Sequence, residues 1–340
     1  MKRFVLIGCG NWSGWWVRDF IPETADVARC AAVVDVNREA TERAGNALNV
    51  PVYTNIGTAL RENPVDYAVV TASIPHHLEV FRDILQTRPC PILSEKPVAG
   101  NWEDCLEIQQ LVKEAGIKCA FTFSHRFEQD KQTFARLLQS GKYGKINTIV
   151  GRLIVHKQQP VRSPEMTLID GGVHYLDMLR PFTGSEAKTV YAQAWDCPWP
   201  KSNGHTASAL VQVEMQNGIH ATMEYLLGSA ENRNSWCDEY FRAECERASV
   251  VLDQRQITAR WTDESGNLTT EDAPLLRGAH WKHDKIIREF ISWLDGGPEP
   301  ELCLRESMKA MALLYAAVES AQTGQAVPVA KQLEQCGGNE

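Results

Sequence analysis

Three things are missing from this chain of 340 residues, and each absence removes a class of protein. None of its ten cysteines stands in a C-x-x-C pair, so the usual zinc or redox motif is not supported. No apolar run approaches the roughly 18 residues that a membrane span needs. Basic residues are not in surplus: 35 Lys and Arg face 43 Asp and Glu. The resulting net charge of -8 argues against a nucleic-acid partner, which requires a basic face. Internal repeats and low-complexity segments are absent too. The start, Met1 to Gly8, has too short an apolar stretch for a signal peptide and runs into glycines rather than a cleavage site. With no export signal, the cysteines read as reduced thiols, mostly buried as small apolar residues, in a cytoplasmic protein.

What is present reads as an ordinary globular chain, 44% hydrophobic and 23% charged, and its length suggests about two domains. The first third alternates strand and helix. Phe4-Val5-Leu6-Ile7 is a continuous apolar run of the kind buried on both faces. A helix over Trp15 to Phe20 follows, then strand Ala31 to Asp35, helix Arg38 to Leu48, strand Val52-Tyr53 and helix Ile56 to Glu62. Strand Val65 to Thr71, helix His77 to Gln86, strand Pro91 to Ser94, helix Trp102 to Ala115 and strand Cys119 to Phe123 complete the series. That order implies a mainly parallel sheet covered by helices on both sides.

The pattern changes near residue 124. Helix Asp130 to Ser140, strand Ile146 to Val155 and helix Asp170 to Arg180 precede a succession of strands between Thr189 and Trp261, with Asn217-Gly218 as a hairpin turn. Strands without intervening helices suggest an antiparallel sheet. Helices Asp284 to Leu294 and Leu304 to Thr323 close the chain. The expected division is 1–123, 124–330 and a flexible tail at 331–340.

Gly8-x-Gly10-x-x-Ser13-Gly14 sits between the first strand and the first helix. Gly8 permits a tight turn, Gly10 lets backbone approach a diphosphate, and Ser13 is small enough for close helix–strand packing. The helix N-terminus favours negative charge. Asp35 ends the next strand, where an acid accepts hydrogen bonds from a ribose 2′-hydroxyl and repels a 2′-phosphate, which favours NAD over NADP. Arg38, three residues on, leaves NADP open.

Lys96, in Leu93-Ser94-Glu95-Lys96-Pro97, falls just past a strand end, where ligands of parallel sheets bind. Pro97 fixes the backbone there, and Glu95 is placed to orient or charge-couple the lysine. Asp170 and His174 are four residues apart, and Asp177 lies three beyond, so on a helix all three share a face. A carboxylate near an imidazole fixes its tautomer and raises its pKa, as a general base requires. One Asp-x-x-x-His pair supplies too few ligands for a metal site.

These residues resemble the Gfo/Idh/MocA family, named for glucose–fructose oxidoreductase and inositol dehydrogenase. The matching segments are Gly8-Cys9-Gly10, Asp35, Glu95-Lys96-Pro97, Gly141-x-x-Gly144-Lys145-Ile146, Asp170-x-Gly172-x-His174-x-x-Asp177 and the Met311 to Ala321 helix, in the family's order. The resemblance implies an α/β fold: an N-terminal Rossmann doubly wound parallel sheet, plus a C-terminal α/β domain with a large, mainly antiparallel open sheet that makes the oligomer interface. It implies Lys96, Asp170 and His174 as the catalytic set. Cofactor contacts are expected from Gly8, Gly10, Asn11, Trp12, Ser13, Asp35, Arg38, Ser73, His76, Glu95 and Lys96. Substrate contacts are expected from Lys96, Arg126, His156, Asp170, His174 and Asp177. One segment departs from the family's Thr-Pro-Asn-x-x-His: Ile74-Pro75-His76-His77-Leu78-Glu79 has His76 in place of asparagine and Glu79 in place of histidine.

The expected activity is hydride transfer between a secondary hydroxyl of a sugar, cyclitol or related polyol and the nicotinamide, with Lys96 or His174 taking the proton. Two alternatives remain open: an NAD-dependent glycosidase using transient oxidation, and a non-catalytic NAD-binding regulator. Arg152, Arg162, Trp236, His280 and His283 are further pocket candidates, and Trp12, Trp15 and Trp16 are expected to pack beside the fingerprint. The outer face of the second sheet, carrying residues such as Leu210 and Met223, is expected to be covered in a homodimer or homotetramer.

Overall fold

The computed structural model describes residues 1–155, 163–197, 207–227, 229 and 239–337. They divide into two compact units, Met1–Ser124 with His280–Met311, and His125–Ala279 with Ala312–Glu340.

The first unit is built on six strands: β1 (Lys2–Ile7), β2 (Ala28–Val34), β3 (Val52–Tyr53), β4 (Tyr67–Val70), β5 (Ile92–Ser94) and β6 (Cys119–Phe121). Their order is β3-β2-β1-β4-β5-β6, every pair parallel. All residues of β4 and β5 are buried, which is why these strands read as unbroken apolar runs. Three of the covering helices, Arg38–Leu48, Ile56–Glu62 and Trp102–Ala115, start on an asparagine whose side chain accepts a backbone N–H of the first turn: Asn37 from Ala40, Asn55 from Thr58 and Asn101 from Asp104. Each such cap is worth about 1 kcal/mol. The strand order reverses between β1 and β4, and a crevice at such a switch point is where open α/β sheets bind ligands.

The linear boundary at residue 123 omits one part of this unit. Segment His280–Met311 returns to it: Phe290 of helix Lys282–Leu294 meets Tyr67 edge-on at 5.5 Å, and Phe121 donates its N–H to the Leu302 carbonyl at 3.0 Å. The buried stripe Ile286, Ile287 and Phe290 makes that helix a cover for the sheet. The fingerprint tryptophans also differ from expectation. Trp16 is buried, but Trp12 and Trp15 remain 45% and 49% exposed.

The second unit holds nine strands: β7 (Ile146–Ile154), β8 (Ala187–Asp196), β9 (Ala207–Met215), β10 (His220–Leu226), β11 (Tyr240–Cys245), β12 (Ser249–Asp253), β13 (Gln256–Thr262), β14 (Leu268–Ala273) and β15 (Val327–Pro328). The order is β14-β13-β12-β11-β7-β10-β9-β8-β15, antiparallel except for the β7–β10 pair. The predicted turn at Asn217-Gly218 joins β9 to β10, with Gly218 at φ 83°. Phe134 of helix Gln129–Gln139 and Phe182 of helix Val173–Thr183 both pack on Phe241 of β11. Pairing of Met223 with Val211 and of Glu224 with Leu210 puts Met223 on the inner face, 2% exposed, and Leu210 on the outer one, 37% exposed. The two therefore do not share the open face. That face is also more polar than expected, with Arg152 paired to Glu224 and Arg242 to Glu244.

The tail is not frayed throughout. Helix Ala330–Gln335 buries Leu333, so the segment expected to be flexible is structured as far as this helix. The helix expected from Asp170 starts instead as a π-helical turn, Leu168–Gly172, leading into Val173–Thr183.

Candidate active site

Four expected residues fall along one edge of the first unit, past the carboxyl ends of its strands: Gly8 after β1, Asp35 after β2, Ser73 after β4 and Lys96 after β5. Gly8 adopts φ 99°, and a Cβ there would come within 2.4 Å of the Ala72 backbone, so only glycine lets β1 turn beside β4. Gly10 has open space where its Cβ would be. Asn11 and Trp12 are exposed beside it. The Ser13 hydroxyl donates to the Gly10 carbonyl at 2.6 Å and so braces the turn.

The Asp35 carboxylate is aimed by backbone. It accepts the Cys9 N–H at 2.6 Å and the Asn37 N–H at 2.7 Å. An ionised carboxylate has about four acceptor sites, which leaves capacity for a diol. Arg38 points its guanidinium at Glu42, 2.8 Å away one helical turn on. Ser73 Oγ lies 2.8 Å from His76 Nδ1, both exposed.

Sequence reasoning passed over His77. It is buried, with the Pro97 and Val98 carbonyls at Nδ1 and the Ala72 carbonyl at Nε2, all within 3.2 Å. It thus ties the loop after β4 to the loop carrying Lys96. Burial lowers its affinity for a second proton. The signal for it was two adjacent histidines, of which the exposed one, His76, drew the attention.

Glu95, expected among the cofactor contacts, is buried at the end of β5 with its carboxylate oxygen Oε1 held by side chains. That oxygen accepts the Trp16 indole N–H at 2.7 Å and lies 3.3 Å from His283 Nε2. Burial, the largest single influence, would raise this carboxyl, but contacts with His283, Trp12 and Thr122 together outweigh it and hold the group down at about 2. Phe20 stacks flat on His283, ring centres 3.8 Å apart. Lys96 itself is half-buried, on the cis Lys96–Pro97 peptide.

The second unit assembles the other expected residues. His174 is buried and Asp170 exposed. Arg126 and Asp177, expected to touch substrate, are both buried and bound to each other through a two-pronged pair, Arg126 Nε to Asp177 Oδ2 at 2.7 Å and Arg126 Nη2 to Oδ1. A fork of this kind braces helix Val173–Thr183, which carries Asp177. Tyr225 lies against Gly171, where a Cβ would collide with its hydroxyl. Burial raises the Tyr225 hydroxyl, and the nearby Asp170 and Glu239 add to the effect. His125 stacks on His174, with ring centres 3.8 Å apart. His156, Arg162 and Trp236 lie outside the described residues. His280 pairs with Asp284 at 2.5 Å on the surface. Among the described residues no cluster of three or more His, Cys, Asp or Glu is arranged to hold a metal ion.

Residues 2–123 match the oxidoreductase family with an NAD-binding Rossmann fold, and residues 136–330 match that family's C-terminal α/β domain. The chain belongs to the Gfo/Idh/MocA oxidoreductases. A Sinorhizobium fredii protein, the uncharacterized y4oX, is 30% identical, with 98% of this chain and 97% of the relative aligned. Inositol 2-dehydrogenase 2 of Saccharopolyspora erythraea is 25% identical, covering 95% and 94%. An oxidoreductase from Agrobacterium radiobacter, solved with NAD+, L-tartaric acid and magnesium, has the same fold at a TM-score of 0.81, with 20% identity and coverage of 98% and 99%.

As a Gfo/Idh/MocA oxidoreductase the chain binds NAD through its first unit, and the edge fits that cofactor. The turn at Gly8 is one that any side chain would block, the space over Gly10 is open, and Asp35 keeps acceptor capacity. No described helix is long and apolar enough to cross a membrane.

Proposed function

We propose that this oxidoreductase acts on a secondary hydroxyl of a sugar, cyclitol or related polyol, with NAD preferred over NADP. The observation that carries the reading is the position of Lys96, on the same sheet edge as the glycine turn and Asp35. The inositol dehydrogenase relative supports the substrate class. Gly8, Gly10, Asn11, Trp12, Ser13 and Asp35, with Arg38, Ser73 and His76 at the margins, would hold the nicotinamide cofactor, which would supply the hydride acceptor.

The remaining chemistry belongs to the chain. Lys96 donates a hydrogen bond to the substrate oxygen and stabilises the charge that develops there. His174 takes the hydroxyl proton. Asp170, exposed ahead of His174, steers the polar substrate. Glu95, Arg126 and Asp177 act by holding these groups in place.

The outer face of the nine-stranded sheet supports a homodimer or homotetramer, with Leu210 exposed on it. Light scattering at micromolar concentration tests that assembly, and a strict monomer contradicts it. The cytoplasmic placement fits the buried thiols Cys9, Cys30, Cys90, Cys105 and Cys119, and cell fractionation tests it.

The activity is tested by following NADH absorbance while polyols and sugars are screened with NAD and NADP in parallel. Lys96→Ala and His174→Ala should each lower turnover roughly a hundredfold or more with little change in NAD affinity. Full turnover in both variants overturns the assignment, and a cleaved glycoside without net NADH makes the enzyme a glycosidase.

A further inference from the structure

Next to His174 the second unit keeps a set of charges that the proposed chemistry does not use. His125 stacks on His174 with planes only 10° apart. Its Nδ1 lies 2.5 Å from Glu239 Oε1, and Lys131 Nζ lies 2.7 Å from Glu239 Oε2. Lys131 also meets Glu128 and Asp130, each at 3.1 Å, and Arg255 reaches Glu128 at 3.1 Å. Burial would raise the Glu239 carboxyl, yet Lys131 and His125 together hold it well below the usual carboxylate range. Burial also raises Asp130, which leaves Glu239 as the firmer negative charge of the two. Buried ionic groups of this density add little net stability, so another use for them is expected.

Three further groups near the pair, among the described residues, are balanced, neutral or exposed. Arg126 and Asp177 cancel each other. Tyr225 keeps its proton because burial raises its hydroxyl. Asp170, on the turn before His174, is exposed and so screened by solvent. Of the two stacked rings, His125 is the one that Glu239 touches, at 2.5 Å.

We propose that His125 is a positioning residue for proton transfer: clasped by Glu239, it carries the positive charge of the stacked pair and keeps His174 neutral and able to accept a proton. Two cationic rings at this separation repel, and the ring beside a carboxylate charges first. The proposal rests on the reading of His174 as proton acceptor.

The test is a pH titration of the His174 imidazole by NMR in the full-length protein with carbon-13-labelled histidine. The resonance is assigned by its loss in His174→Ala. His125→Phe keeps a ring but removes the charge, and the His174 midpoint should rise by about one unit or more. His125→Arg restores a fixed positive charge beside Glu239, and the midpoint should return to the native value or below. The acid limb of kcat/KM should move the same way, because it reports the free enzyme's base. A purely structural role for His125 would alter stability or KM but leave both midpoint and limb in place. If His125→Phe does not fold, His125→Gln serves with the same expected rise. Identical midpoints in native, uncharged and arginine proteins overturn the proposal. The titration reads His174 directly, so full turnover in His174→Ala would sink the catalytic reading separately.

Discussion

Each unit buries a carboxylate clasped by a histidine, and the two enclosures are made of different materials. Glu95 is walled by rings: the Trp16 indole donates to it, His283 reaches the same oxygen, and Phe20 lies flat on His283. Glu239 is walled by charge, with Lys131 at one oxygen and His125 at the other. Stacked aromatics fix a geometry but exert little electrostatic reach. Close ionic groups in a poorly screened interior alter the protonation of whatever lies beside them. The first kind of enclosure suits anchoring the backbone from which Lys96 extends. The second suits adjusting the charge of a neighbouring ring.

That contrast has measurable consequences. The largest is expected for Glu239→Gln, which leaves Lys131 buried with one fewer compensating carboxylate. Urea unfolding should show a loss of about 3–5 kcal/mol, the range for breaking a buried ion pair. A loss no greater than that of Glu95→Gln would erase the distinction between the two enclosures.

Glu95→Gln keeps an oxygen that can accept the Trp16 indole N–H and should cost about 1.5–3 kcal/mol, as for a hydrogen bond to a charged group. It also carries a pH signature. The carboxyl is held at about 2 in the folded chain against an ordinary 4.5, because its contacts with His283, Trp12 and Thr122 together outweigh burial. A depressed value stabilises the fold above pH 4.5, and that contribution drains away as pH falls towards 2. The Gln variant should lack this part of the acid slope in unfolding curves taken across the same window. An unchanged slope would mean that Glu95 is no tighter in the folded chain than in the unfolded one.

The smallest effect concerns the edge that binds cofactor. Asp35→Ser removes a carboxylate from the ribose position and should shift preference towards NADP by about 1 kcal/mol, roughly fivefold. Titrating both cofactors by tryptophan fluorescence measures the ratio. Tighter NADP binding already in the native protein would make Arg38, not Asp35, the deciding residue.

The first unit was the more legible of the two. Helices Arg38–Leu48, Ile56–Glu62 and Trp102–Ala115 fall at the bounds read from the sequence, because local patterns decide them. Strand β14 was missed because Leu268-Thr-Thr-Glu-Asp-Ala273 lies at the sheet edge and offers no apolar alternation. Helix Ala330–Gln335 was missed because it is one short turn-and-a-half anchored by Leu333. Within the site, Gly8, Asp35 and Lys96 are visible as motifs at strand ends. The partners of Glu95 and of His125 are not, since those contacts join residues 188 and 114 positions apart. Arg126 and Asp177 show the same limit: their types suit a polar substrate, and only the packed helix reveals that they have already found each other.

The return of segment His280–Met311 to the first unit sets an order of events on the ribosome. Glu95 emerges 188 residues before His283, a delay of roughly ten to forty seconds at ordinary rates of synthesis. Throughout that interval Tyr67 lacks Phe290 and the strand Cys119–Phe121 lacks its bond to Leu302. The nascent cofactor unit is thus an unfinished enclosure with an apolar wall open to the cell, and it closes only after the intervening segment His125–Ala279 has been made.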